Sequence, residues 1–272
     1  MPELPEVESV VRTLRDGVPS LLGPRIDEIK IIWNGVVSAG FDDPSHFAGY
    51  VFTSIARLGK YLIFRLDLNG KQTCFLIVHL RMTGRLYLVP HNEAIERHTR
   101  FVVMLENGYA LRFDDPRKFG RVWMVDDPAL VIGALGPDAL TVECADFVTR
   151  LAKHRRRIKP LLLDQACVAG IGNIYADETL FRSGIHPLAI AAELPVAAMQ
   201  RLHAAIVSVL EEAVDANGAN IDGVFKAGSF VVSVYGREGA PCRVCGTAIS
   251  KIRVGQRGTH FCRECQKQPV AA

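Results

Sequence analysis

The opening stretch MPELPEVESVVRTL places two prolines and three glutamates around the start of one amphipathic segment. The residue after Met1 has a small side chain, so the initiator methionine is expected to be removed, leaving Pro2 as a terminal secondary amine. Such an amine titrates near the usual α-amino value of about 8, so a useful fraction is uncharged at neutral pH. Its attack on an aldehyde-like carbon would give a permanently cationic iminium, which is an electron sink. The plainer alternative is that Pro2 only stiffens the chain ahead of a helix. A second chemical signature lies at the other end. Cys242, Cys245, Cys262 and Cys265 form C-x2-C-x16-C-x2-C, the spacing of a four-thiolate zinc site. Four sulfurs leave no position for water or substrate, so one structural zinc ion is expected. Two disulfides are the alternative, disfavoured in an intracellular chain. Cys74, Cys144 and Cys167 stand apart and read as core or incidental residues.

Elements must position these groups. Val7, Val10, Val11 and Leu14 recur at helical spacing, and Pro5 suits a first helical turn. Glu6 and Glu8 favour the positive end of the helix dipole, and Gly17 marks a stop. Residues 25–125 read as short strands rich in β-branched and aromatic residues, among them VFTSIARL, YLIFRLDL, TCFLIVHL and YALRFD, with Asn69-Gly70 and Asn107-Gly108 as hairpin turns. Four helical segments follow: CADFVTRLAKH, KPLLLDQACV, NIYADETLFRSG and the long VAAMQRLHAAIVSVLEEAVDANG. Between the second and third, AGIGN places Gly170 and Gly172 where bare amides could bind an anion, with Asn173 as the helix cap. Close packing of a helical hairpin would explain the same glycines. The fold class expected is α+β. A leading helix and β-sandwich occupy 1–130, a linker 131–144, a helical domain with a helix-two-turn-helix 145–220, and a loop and zinc-finger β-hairpin 221–272.

Charge is unevenly spread. From Ile221 onward eight Lys/Arg face three Asp/Glu, a net of +5, whereas the first 220 residues carry −2. A basic tail on a near-neutral body suits a polyanionic partner, although a solvated surface would look the same. No cationic leader precedes an apolar run, and no apolar run approaches membrane-spanning length, so an intracellular, cytoplasmic protein is expected.

The whole chain resembles the bacterial formamidopyrimidine-DNA glycosylase family (Fpg, or MutM). PELPEVE at the start, GKYL at Gly59–Leu62, HLRMTG at His79–Gly84, DPRKFG at Asp115–Gly120, LGPD at Leu135–Asp138, AGIGNIYADE at Ala169–Glu178 and the terminal zinc finger occur in that order. The resemblance implies a base-excision repair enzyme, a glycosylase and abasic-site lyase that removes oxidised purines from double-stranded DNA and then nicks the strand by β,δ-elimination. It makes Pro2 the nucleophile and Glu3 the acid that protonates the opening sugar. Glu6 could position Glu3 or the substrate, or serve only the helix dipole. By the same resemblance Lys60 contacts phosphate near the lesion and assists elimination, and Arg257 holds the flanking phosphates. His79, His98 and Asn173 map to further backbone contacts. Met82 takes the hole left by the extruded base, Arg117 faces the orphaned partner base, and Phe119 buckles the adjacent stack, although Met82 and Phe119 could equally be core residues.

One departure stands out. In NGANIDGVFKAGSFVVSVYGREG the family's usual Gly-Gly-hydroxyl-hydroxyl run is absent and the loop that covers the extruded base is shorter. Abasic and formamidopyrimidine sites are therefore expected to be processed well, and 8-oxoguanine less readily. The rivals are an endonuclease VIII-like enzyme for oxidised pyrimidines, against which Leu4 argues, and a non-catalytic DNA-damage-binding protein. A monomer is expected, because DNA must enter between the two domains.

Overall fold

The computed structural model describes residues 2–221 and 228–268. Contacts divide the chain after Ala134 into two units. The N-terminal unit begins with α1 (Leu4–Asp16), whose buried stripe is Leu4, Val7, Val11 and Leu14. Val10 is only half-buried at the edge of that stripe. The helix ends at Gly17, whose N–H donates to the Thr13 carbonyl; a Cβ there would meet that oxygen at 2.3 Å, so the close approach requires glycine.

Nine strands follow: β1 (Ile26–Ile31), β2 (Val37–Ala39), β3 (Val51–Leu58), β4 (Tyr61–Leu68), β5 (Gln72–His79), β6 (Arg85–Pro90), β7 (Thr99–Leu105), β8 (Tyr109–Asp114) and β9 (Arg121–Val125). They form a four-stranded sheet ordered β1-β7-β8-β6 and a five-stranded sheet ordered β2-β9-β5-β4-β3. Alternate residues of each face one shared core, with Leu62, Phe64 and Leu66 of β4 in the same cluster as Phe101, Val103 and Leu105 of β7. The expected β-sandwich is present. The sequence reading omits β2 and β9, a three-residue and a five-residue strand with little periodicity to read. The short helix α2 (Ala129–Ile132) closes the unit.

The second unit is helical, with α3 (Cys144–Ala152), α4 (Ile158–Leu162), α5 (Asn173–Ser183) and α6 (Val196–Asp215). Leu202, Ile206, Val209 and Leu210 lie on the buried face of α6, which packs against α5. KPLLLDQACV is only partly helical: α4 stops at Leu162, and side chains of Asp164 and Gln165 then hydrogen-bond backbone amides of the turn. Residues 135–139, read as part of a linker, are bonded to that turn, with Gly136 N–H donating to Gln165 O and Ala139 N–H to Ala169 O, each at 2.9 Å. The terminal hairpin pairs β10 (Ser250–Val254) with β11 (Arg257–Phe261). Among the described residues, no helix is long and apolar enough to cross a membrane. The centre of the unusual loop, 222–227, lies outside the described residues.

Candidate active site and nucleic-acid interface

The N-terminal corner is held by reciprocal hydrogen bonds. Glu3 is the N-cap of α1; its carboxylate accepts from the Glu6 N–H, and the Glu6 carboxylate accepts from the Glu3 N–H at 2.8 Å. This capping box satisfies two orphan donors of the first turn. It also encloses both carboxylates, Glu3 at 1 % and Glu6 at 2 % exposure. The Glu6 carboxylate thus closes the first turn of α1 and holds the backbone of Glu3 with the same hydrogen bond.

Lys60 lies in the two-residue turn between β3 and β4, where Gly59 takes φ of 57° and Leu58 pairs with Tyr61. The lysine is buried, not the solvated side chain that its type alone would suggest. The sequence reading missed Arg57. Its guanidinium donates to the Glu8 carboxylate of α1 at 3.1 Å and to the Gly59 carbonyl at 3.0 Å. It thereby ties α1 to the turn that carries Lys60. An arginine at a strand end carries no local signal of such a role.

His79 ends β5, edge-on to Tyr61 with ring centroids 4.5 Å apart. Its Nδ1 accepts the Arg81 N–H at 2.9 Å, so the remaining ring proton sits on Nε2. Burial, then the charges of Arg81 and Lys60, lower its pKa to about 3. His79 is therefore a neutral Nε2–H donor. His98 is half-buried beside Arg100, whose guanidinium lies 3.4 Å from its Nδ1. Met82 sits on the turn after β5 and is absent from the buried core. Phe119 is 46 % exposed, with the Arg117 guanidinium 4.9 Å above its ring. Core packing, the competing explanation for these two apolar residues, is thus not their role.

In the C-terminal unit Arg257 opens β11 beside the Gly255–Gln256 turn and is exposed. Beneath it runs a buried network. Lys159 of α4, with no exposed surface, donates to Gly258 O at 3.0 Å and Thr259 Oγ1 at 2.8 Å, and pairs with Asp177 of α5 at 2.6 Å. Asp177 also accepts the His260 N–H at 2.8 Å. Asn173 does not cap α5; Gly172 is the N-cap, and the Asn173 amide instead donates to Gly258 O at 3.2 Å. The glycine-rich junction is also less open than expected, because Gly170 N–H is taken by Gln165. Glu178 gathers the N–H groups of Ser233, Val234 and Tyr235, although burial still raises its pKa. None of these tertiary links between α4, α5 and the hairpin is visible in spacing.

The four predicted cysteine ligands come together. All four sulfurs lie within 4.8 Å of one another, with Cys242–Cys265 at 3.9 Å and Cys245–Cys262 at 3.4 Å. Zn–S bonds of about 2.3 Å in a tetrahedron require edges near 3.8 Å, whereas a disulfide needs about 2.05 Å. The set therefore fits one structural zinc ion. Hydrogen bonds from Thr247 lower the pKa of the Cys245 thiol, whereas burial raises those of Cys262 and Cys265.

Comparisons with known proteins agree with this architecture. Residues 1–122 match the formamidopyrimidine-DNA glycosylase N-terminal domain, 135–223 its H2TH domain, and 239–268 a zinc finger found in FPG and IleRS. Formamidopyrimidine-DNA glycosylase of Bacillus licheniformis is 40% identical, over 98% of this chain and all of its own. That of Symbiobacterium thermophilum is 42% identical, over 99% and 90%. A complex between Lactococcus lactis Fpg and an abasic site containing DNA superposes with a TM-score of 0.88 at 33% identity, covering 98% of this chain and all of that one. From its leading helix to its four-cysteine hairpin, the chain belongs to the formamidopyrimidine-DNA glycosylase family.

Proposed function

We propose that this protein is a DNA glycosylase and abasic-site lyase of base-excision repair, acting through Pro2 on duplex DNA with an oxidised purine. The observation that carries the reading is the reciprocal Glu3–Glu6 cap, which fixes the residue next to Pro2 at the head of a packed helix. Once Met1 is removed, the Pro2 lone pair attacks C1′ of the extruded nucleotide. The bond from C1′ to the base breaks, and the base leaves with a proton. Glu3 then gives a proton to the ring oxygen as the C1′–O4′ bond opens, leaving an iminium. The iminium acidifies the 2′ hydrogens, so one is lost as a proton while the 3′ phosphate leaves; the 5′ phosphate follows in a second elimination. Lys60 supports charge at the lesion phosphate, and His79, His98, Arg257 and Asn173 hold the backbone. Met82, Arg117 and Phe119 occupy and read the vacated site, and the zinc ion shapes the hairpin without entering the chemistry.

Leu4, fully buried in the α1 stripe, supports the purine branch over the pyrimidine-directed relatives, which carry glycine at the matching place. A DNA substrate implies action inside the cell. Borohydride added to the enzyme on an abasic-site duplex should trap a covalent adduct that disappears in Pro2→Gly and when Met1 is retained. DNA binding with no adduct would mean a damage sensor instead. Single-turnover rates on duplexes with formamidopyrimidine or 8-oxoguanine opposite cytosine, and with thymine glycol opposite adenine, rank the lesions. We expect formamidopyrimidine to be fastest; thymine glycol leading would reverse the branch assignment.

A further inference from the structure

Two short loops of the sandwich carry the three residues assigned to the vacated base site. Met82 is on the turn between β5 and β6, and Arg117 and Phe119 are on the loop between β8 and β9. Both loops rest on one ring. A Cβ at Gly84, which closes the first loop, would lie 2.8 Å from Phe113, and a Cβ at Gly120, which closes the second, would lie 2.3 Å from it. The ring is fully buried, so neither loop can sink further or tolerate a side chain there.

A single carboxylate ties them together. Asp115, 1 % exposed, accepts the Thr83 hydroxyl at 2.5 Å and the Arg117 N–H at 3.2 Å on Oδ1, and the Gly120 N–H at 2.7 Å on Oδ2. Its own backbone is held as well. Asp115 N–H donates to His98 O at 2.9 Å, and Arg100 Nε donates to Asp115 O at 2.9 Å. The Thr83–Asp115 bond joins one loop to the other, with the residue beside Met82 as donor and the anchor of the Arg117–Phe119 loop as acceptor. A hydroxyl-to-carboxylate bond of this length is charge-assisted.

The geometry points to a latch: Thr83 and Asp115 make Met82, Arg117 and Phe119 a single rigid body, so filling the vacated space and reading the partner base are one event. Thr83 and Asp115 are positioning residues that act through the wedge, and the inference rests on the wedge roles proposed above. A void-filling side chain that moved independently of Arg117 could enter the stack opposite any base. Locked to it, Met82 enters only where Arg117 also finds acceptors, as cytosine provides.

The test is a double-mutant cycle in single-turnover excision from a lesion duplex, using Met82→Ala, Phe119→Ala and both together, with Thr83 intact or replaced by valine. With Thr83 intact, the double variant should lose little more than the worse single variant. Thr83→Val should slow excision opposite cytosine about tenfold, the factor set by 1.4 kcal/mol. It should also narrow the preference for cytosine over adenine and make the two alanine losses additive. Thr83→Ser, which keeps the hydroxyl, should restore both coupling and preference; Thr83→Ala replaces the valine variant should that fail to fold. Additive losses with Thr83 intact, or coupling unchanged in Thr83→Val, overturn the latch. If neither alanine variant alters excision, the wedge assignment fails and the latch falls with it.

Discussion

Asp115 in the sandwich and Asp177 beneath the hairpin are both enclosed carboxylates that fix a loop carrying residues assigned to DNA. Asp115 is satisfied by a hydroxyl and backbone amides. Asp177 is paired with a fully buried lysine at 2.6 Å. The surroundings account for the difference. Asp115 stands on a sandwich core that includes Phe52, Phe64, Phe101 and Phe113, which already holds the loop ends in place. The hairpin has a local apolar cluster of Val234, Cys242, Ile249 and Cys262, two of which are zinc ligands. So small a cluster cannot offset the conformational entropy of ordering the segment, and a metal and a buried ion pair take its place. The C-terminal unit should therefore be sensitive to lost charge and metal, the N-terminal unit to lost shape.

Zinc removal tests that contrast most severely. Structural zinc sites are worth about 10 kcal/mol or more to small domains, so chelation should unfold the hairpin locally. Hydrogen exchange should rise by orders of magnitude across 239–268 and stay low in β4, β5, β7 and β8, with duplex binding lost. Persistent protection of β10 and β11 without metal would mean that the small cluster suffices. Lys159→Met comes next. It leaves Asp177 charged and buried, which costs about 3–5 kcal/mol and should appear in urea unfolding. Lys159→Met combined with Asp177→Leu should regain most of that loss, short of about 1–3 kcal/mol for the orphaned His260 N–H. If the double variant is no better than the single, the ion pair is not what holds β11.

These two tests separate what could be read from the chain and what could not. The cysteine quartet, the helix stripe from Val7 to Leu14 and strands such as VFTSIARL are encoded locally, through spacing and period, and all are in the structure. Lys159, Asp177 and Arg57 show no such signal, because each acts through partners supplied by tertiary packing; Lys159 and Thr259 are 100 residues apart. Asn173 shows how a local rule is overridden. The helix is capped one residue earlier, at Gly172, so Asn173 is its first residue and accepts no capping hydrogen bond on Oδ1; its Nδ2 instead donates to the Gly258 carbonyl. Phe119 and Met82 were ambiguous for a related reason, since apolar type does not distinguish a core residue from one held out of the core for a ligand.

The smallest expected effect lies at His79 and concerns how the N-terminal unit meets acid. The folded ring titrates at about 3 and the unfolded one near 6.5, so between those values the unfolded chain binds more protons. Stability should accordingly fall as pH drops from about 6.5 toward 3, and remain unaffected by this group above 7. His79→Gln keeps an acceptor for the Arg81 N–H but cannot titrate. Relative to wild type, it should be less sensitive to acid, by about 1 kcal/mol between pH 7.5 and 4.5 after allowing for the ring's partial exposure. That is some 2–4 °C in Tm. Because the ring is already neutral, acidification from pH 7.5 to 6 should not strengthen duplex binding through His79, and the salt slope of binding should be the same for wild type and His79→Gln. A steeper slope for wild type at pH 6 would show a charged imidazole on phosphate, and the sandwich would then use at its surface the kind of charge that the hairpin buries.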